Sequence, residues 1–127
     1  MTTVLADLAA EAHAAPTPPA IGVLVHTDAP GSLVDPVLWG IEEEGVPCTM
    51  ERRDDLDPLV LAHAAAEASR LGVGVGISLD YVVVTTEKLP RDKPYLAARI
   101  DRPARQGRTL GTDAARLVRR IPLKPLT

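Results

Sequence analysis

Two apolar runs stand back to back in the middle of this chain, GVGVGISLD (Gly72 to Asp80) and YVVVTTEKL (Tyr81 to Leu89). Each has the length and β-branched content of a buried strand, and no helix fits between them. Strands joined this tightly run antiparallel, because a parallel return needs a crossover of about a dozen residues. Upstream the pattern differs. AIGVLVH (Ala20 to His26) is another buried-strand run, followed by TDAPGS (Thr27 to Ser32), a loop by its Pro-Gly and Asp content. A helix is expected from Ser32 to Glu44, with Ser32 and Asp35 as a capping-box pair and Pro36 in the first turn. Val34, Val37, Leu38 and Ile41 form its apolar stripe, and Gly45 stops it.

VPCTME (Val46 to Glu51) reads as a strand weakened by Pro47, and Asp57 to Leu71 as a helix. Leu59, Val60, Ala64, Ala68 and Leu71 recur on that helix at helical spacing, and Gly72 ends it. A short strand is expected at Tyr95 to Ile100. A last helix is expected from Thr109 or Thr112 to Arg120, burying Leu110, Ala114, Leu117, Val118 and Ile121, with Pro122 and Pro125 closing the chain. The order βαβαβββα predicts an α/β three-layer sandwich with a mixed sheet over residues 20–127. The Ala-rich segment 1–15 is marginal as an isolated helix and is cut off by PTPP, so residues 1–19 are expected to be a mobile tail and linker.

Several functions are disfavoured at this stage. With no Phe, one Trp and two Tyr, the core must be aliphatic and few side chains could stack on bases. Cys48 is the single cysteine, which excludes an internal disulfide, and His13, His26 and His63 are too scattered for a zinc site. Asp7 and Glu11 interrupt the apolar N-terminus, which also lacks a basic start, so a signal peptide is not expected there. No run approaches the ~18 apolar residues of a membrane span, and a cytoplasmic protein is expected.

Charge is distributed unevenly. The net charge is -3, yet residues 99–127 carry Arg99, Arg102, Arg105, Arg108, Arg116, Arg119, Arg120 and Lys124 against Asp101 and Asp113. Without interleaved aromatics a solvated or protein-facing basic patch is expected ahead of a nucleic-acid site. The Gly72-Val73-Gly74-Val75-Gly76 run does not open a helix, as a dinucleotide fingerprint must. Its expected meaning is a strand closely approached by another backbone. Cys48 lacks a partner that would activate it. Glu42, Glu43 and Glu44 stand in the last helical turn, where the helix dipole disfavours anions by ~0.3–1 kcal/mol each. The residues alone fit either an acidic, solvated helix end or, since a local rule is broken, a role such as offering one carboxylate to Mg²⁺ completed by another chain.

Three segments taken together carry a resemblance: WGIEEEGVP (Trp39 to Pro47), AAAEASRLGVGVGISLD (Ala64 to Asp80) and LGTDAARLVRRIPL (Leu110 to Leu123). In that order and spacing they resemble the small subunit of the diol/glycerol dehydratase-reactivating factors. The chain departs from that pattern at Leu123, where an aromatic is usual, and in its N-terminal extension. The resemblance implies a fold like the dehydratase medium (β) subunit and a non-catalytic role. It implies an Hsp70-like ATPase large subunit as partner, with ATP bound on that partner only. Exchange of the small subunit for the dehydratase medium subunit, against the dehydratase large subunit, would open an inactivated enzyme so that damaged cobalamin leaves.

The resemblance further implies Mg²⁺ shared with the large subunit, with Glu43 as this chain's ligand. Glu42 and Glu44, with Arg116, Arg119 and Arg120, are expected on the partner-binding surface. No nucleic acid or membrane partner is expected. A location in or beside a bacterial microcompartment and self-association of the unpartnered chain are further expectations. Two other functions fit the residues: the dehydratase medium subunit itself, and a small ligand- or RNA-binding α/β module.

Overall fold

The computed structural model describes residues 18–120. Apart from Pro18 and Pro19, the expected tail and linker lie outside the described residues, as do Ile121, Pro122, Leu123 and Pro125. Within them the elements follow the expected order: β1 (Ile21–His26), α1 (Gly31–Glu43), β2 (Cys48–Arg53), α2 (Pro58–Ala68), β3 (Val73–Ser78), β4 (Tyr81–Thr86), β5 (Leu96–Arg99) and α3 (Pro103–Arg120).

The strands form one mixed sheet in the order β2-β1-β3-β4-β5. Strand β1 is parallel to both β2 and β3, while β3–β4 and β4–β5 are antiparallel. The first crossover steps outward from β1 to β2, and the second steps back across β1 to β3. With a common hand, these opposite steps put α1 and α2 on opposite faces. Helix α3 returns to pack on α1, which completes three layers.

Alternation along the strands separates two unlike faces. Toward α1 and α3 point Ile21, Val23 and Val25 of β1, Val73, Val75 and Ile77 of β3, and Val82 and Val84 of β4, all buried. They meet Leu33, Val34, Val37 and Ile41 of α1 and Leu110, Ala114 and Leu117 of α3. This aliphatic cluster is the main core, and it contains no aromatic side chain.

The other face carries Gly22, Gly74 and Gly76. A Cβ on Gly22 would lie 2.7 Å from the Ala65 carbonyl oxygen, one on Gly74 2.8 Å from the Ala65 carbonyl carbon, and one on Gly76 2.5 Å from the Ala62 nitrogen. The glycines therefore form a floor on which the backbone of α2 rests directly, as expected for the GVGVG run. This contact corrects the stripe expected on α2. The buried residues are Leu61, Ala62, Ala65 and Ala66, whereas Leu59, Val60, Ala64 and Leu71 are half-buried and Ala68 is exposed. Close seating on glycine favours the smallest side chains, so Ala62, Ala65 and Ala66 turn inward beside Leu61, and Leu59 and Val60 flank them.

Element ends differ from expectation in ways that can be explained. Helix α1 starts at Gly31 with Pro30 as its N-cap and no side-chain cap, so Ser32 and Asp35 lie inside the helix and make no capping box. Pro36 then falls in the second turn, buried, where a Cβ on Gly107 of α3 would come within 3.0 Å of its Cβ. The carbonyl it leaves unpaired belongs to exposed Ser32, where water can satisfy it. Helix α2 is capped as its sequence indicates, with the Asp57 carboxylate accepting from the Leu59 N–H at 2.9 Å. Strand β2 ends at Arg53, beyond the expected Glu51, extended by its pairing with β1 through His26.

Helix α3 begins at Pro103, well before Thr109. The Gln106 side-chain oxygen accepts from the Asp101 and Arg102 N–H groups at 2.9 and 2.7 Å and thereby fixes the helix start. Gly107 and Gly111 are points where α3 touches α1.

Candidate functional site

The outward surface of the α1–α3 pair gathers most of the residues singled out in the sequence. The two helices are in backbone contact. A Cβ at Gly40 would come within 2.9 Å of the Thr112 nitrogen, and one at Gly111 within 3.0 Å of the Ile41 nitrogen. At that separation, long side chains on one helix reach carboxylates on the other.

Glu44 is the best held of the three glutamates. Its carboxylate accepts from Arg119 Nη1 at 2.9 Å and lies 3.5 Å from Arg116 Nε, while Arg119 Nη2 also donates to the Glu44 main-chain carbonyl. The hydrogen bond from Arg119 holds the Glu44 carboxyl below the usual carboxylate range, with the charge of Arg116 adding to it. Glu43 is half exposed and pairs with Arg108 Nη2 at 2.7 Å. Glu42 is exposed and forms no ion pair among the described residues. Its charge, after burial, is a second reason that the Cys48 thiol is pushed up, consistent with a non-nucleophilic cysteine.

Helix α1 has no basic residue of its own in its last turn. Arg108, Arg116 and Arg119 supply that charge from α3, which offsets the conflict between the carboxylates and the helix dipole. Arg120 points elsewhere: its Nη1 donates to the Tyr95 hydroxyl at 3.2 Å, away from the glutamates. The structure thus gathers Glu43, Glu44, Arg116 and Arg119 with Arg108, and leaves Glu42 and Arg120 at the margin.

Two residues of this surface were not among the sequence candidates. Trp39 is exposed, one helical turn before Glu43, and Arg108 lies over its ring at 6.0 Å from the centroid. The spacing Trp39–Glu43 was legible as a shared helix face, but the arrival of Arg108 depends on the crossing of α3.

Among the described residues no group of three or more His, Cys, Asp or Glu side chains converges in a way that could hold a metal. His26 and His63 are apart, each engaged with neighbours in its own segment. Glu43 therefore fits a Mg²⁺ only as a single carboxylate among ligands from elsewhere, a coordination Mg²⁺ accepts because it keeps several waters. No described helix is long and apolar enough to cross a membrane.

Residues 18–124 match the family model described as the dehydratase medium subunit. A propanediol dehydratase-reactivating factor small subunit of Salmonella typhimurium is 36% identical over 108 residues, covering 85% of this chain and 92% of that protein. A propanediol dehydratase-reactivating factor small subunit of Citrobacter freundii is 38% identical over 88 residues, covering 69% of this chain and 76% of the relative. Among solved structures, a diol dehydratase-reactivating factor complexed with ADP and Mg²⁺ superposes with a TM-score of 0.76 at 33% identity, over 85% of this chain and 99% of that one. A glycerol dehydratase reactivase gives the same TM-score at 32% identity, over 84% and 97%. The chain therefore belongs to the dehydratase medium-subunit family, and within it to the small subunits of the diol/glycerol dehydratase-reactivating factors.

Proposed function

We propose that this chain works as a swapping partner rather than an enzyme. It stands in for the medium subunit of an adenosylcobalamin-dependent diol or glycerol dehydratase, and an Hsp70-like ATPase large subunit drives the exchange so that damaged cobalamin leaves. In this reading ATP binds the large subunit only, and Glu43 contributes one carboxylate to a Mg²⁺ shared across the contact. Residues 20–127 form the exchanging domain, and the partner surface is the α1–α3 face with Glu42, Glu44, Arg116, Arg119 and Arg120. The observation that carries this reading is the likeness, over nearly the whole solved chain, to a reactivating factor that binds ADP and Mg²⁺. The half-exposed Glu43 at a backbone-locked helix crossing supports it.

The family match also covers the dehydratase medium subunit, which makes that the second reading. A pull-down separates the two. Co-purification with an Hsp70-like ATPase supports the reactivase; stable association only with the dehydratase large and small subunits sinks it. Salt-sensitive RNA binding by the isolated chain would instead indicate a nucleic-acid module. Within the reactivase reading, Glu43→Gln should weaken large-subunit association in Mg²⁺ by about 10-fold while leaving the fold intact, in line with loss of a charged interface contact. Unchanged affinity removes the metal role.

A further inference from the structure

Every aromatic side chain of this protein lies outside the core. Trp39 is 49% exposed, and Tyr81 and Tyr95 are each 40% exposed, while the core is built from Val, Ile, Leu and Ala. Tyr95 is engaged by Arg120 through its hydroxyl. Trp39 has no comparable polar contact among the described residues. It stands on the outer side of α1 beside Gly40, which faces the other way into the backbone of α3. A half-exposed Trp on a helix surface leaves much of its ring open to a partner, and Trp and Arg are both enriched among the side chains that dominate interface binding.

The charges beside it are arranged in a way that bears on docking. Arg108 is shared between the Trp39 ring, 6.0 Å from its centroid, and the Glu43 carboxylate at 2.7 Å. Trp39, Glu42, Glu43 and Arg108 line one shallow open depression. If Glu43 turns to a shared cation, Arg108 loses its carboxylate but keeps the ring. A partner meeting this surface must then offer an apolar slot for the indole and a carboxylate for the freed guanidinium.

We infer that Trp39, with Arg108 laid across it, is the anchor by which the chain docks on its large subunit, in an apolar slot bordered by an acidic side chain. This rests on the reactivase reading above. The occupant is the large subunit rather than a second copy of this chain because the surface is continuous with the Glu43 contact.

The chain has a single Trp, so 5-fluorotryptophan labelling gives one ¹⁹F resonance that reports on Trp39 alone. The full chain, so labelled, is titrated with purified unlabelled large subunit in Mg²⁺, and affinities are measured for wild type, Trp39→Ala, Trp39→Phe and Leu56→Ala. Leu56 is 55% exposed and lies outside this depression, so it serves as the control for loss of an exposed apolar side chain. The resonance should shift on saturation. Trp39→Ala should bind about 10- to 100-fold more weakly, Trp39→Phe should retain part of the affinity, and Leu56→Ala should match wild type.

A complex that forms with the resonance unmoved, or with Trp39→Ala within about twofold of wild type, overturns this inference and leaves the reactivase reading standing. A shift that follows the chain's own concentration, unaltered by the large subunit, assigns the face to a second copy and likewise overturns it. No binding by wild type removes the reactivase reading, and the anchor with it.

Discussion

Replacing Gly74 with Ala tests whether α2 rests on bare backbone. The new Cβ would lie 2.8 Å from the Ala65 carbonyl carbon, where ordinary contact begins at 3.4 Å, and would also press on the Ala66 nitrogen and Ala62 oxygen. All three obstacles are main-chain atoms of one helix, so no rotamer change relieves them. The helix must retreat by at least about 0.6 Å, and a gap of ~0.5–1 Å forfeits a quarter to a half of the dispersion across it. The contact at stake is that of Leu61, Ala62, Ala65 and Ala66, each no more than 2% exposed.

Full burial of one Leu and three methyl groups is worth about 4 kcal/mol, so a third of it lost is ~1.5 kcal/mol. Strain from overpacking adds ~1–3 kcal/mol, and the stiffer unfolded chain returns ~0.5–1 kcal/mol. The net expectation is a loss of about 2–3 kcal/mol, read as a lower urea midpoint at unchanged slope and a melting point about 10–15 °C lower. Gly31→Ala is the control. Its Cβ would meet only the Asp35 carboxylate, at 3.5 Å, in the first turn of α1, so it should be neutral or slightly stabilising. If Gly74→Ala changes stability by less than ~0.5 kcal/mol, the close seating of α2 is refuted.

Two further outcomes follow from the local geometry. Because Arg119 holds Glu44 below its unfolded value, the stabilisation from that contact is complete above the ordinary carboxyl range near pH ~4.3 and disappears as pH falls through the lower folded value. Arg119→Gln should bring the Glu44 carboxyl back toward that range in an NMR titration, and an unmoved Glu44 would show that Arg119 is not the cause. Leu79, 60% exposed at φ 57° in the β3–β4 turn, is a side chain in a backbone region that disfavours it by ~1–2 kcal/mol. Leu79→Gly should therefore raise stability by about 0.5–1 kcal/mol after glycine's entropy cost, and a lower melting point would refute the strain.

Element order was legible because each strand and helix has its own apolar period and the paired runs at Gly72–Leu89 leave room for only one connection. The GVGVG run was legible too, since glycine within a strand has few uses besides admitting a close neighbour. The α2 stripe was not. Helical spacing picks out Leu59 and Val60, but the glycine floor that seats alanine instead is contributed by β1 and β3, remote in sequence. The start of α3 was hidden for a similar reason: Gly107 and Gly111 weaken a helix considered alone and matter only when α1 lies against them. At the candidate site, the glutamates stood out as a local rule broken. Their arginine partners could not be assigned from spacing, because Arg108 and Arg119 reach them only across the helix crossing.

The pairing of α1 with α3 also sets when the surface comes into existence. Glu44 and Arg119 are 75 residues apart, and the strands between them complete the sheet first in order of synthesis. At ~5–20 residues per second, a growing chain spends about 4–15 s with α1 made and α3 still missing. During that interval its carboxylates face their own helix dipole without arginines, and Gly40 has nothing to touch. Competence to dock thus waits on the synthesis of α3. A chain cut short before Pro103 lacks the arginines and the Gly111 contact, and so has no assembled face to offer a partner.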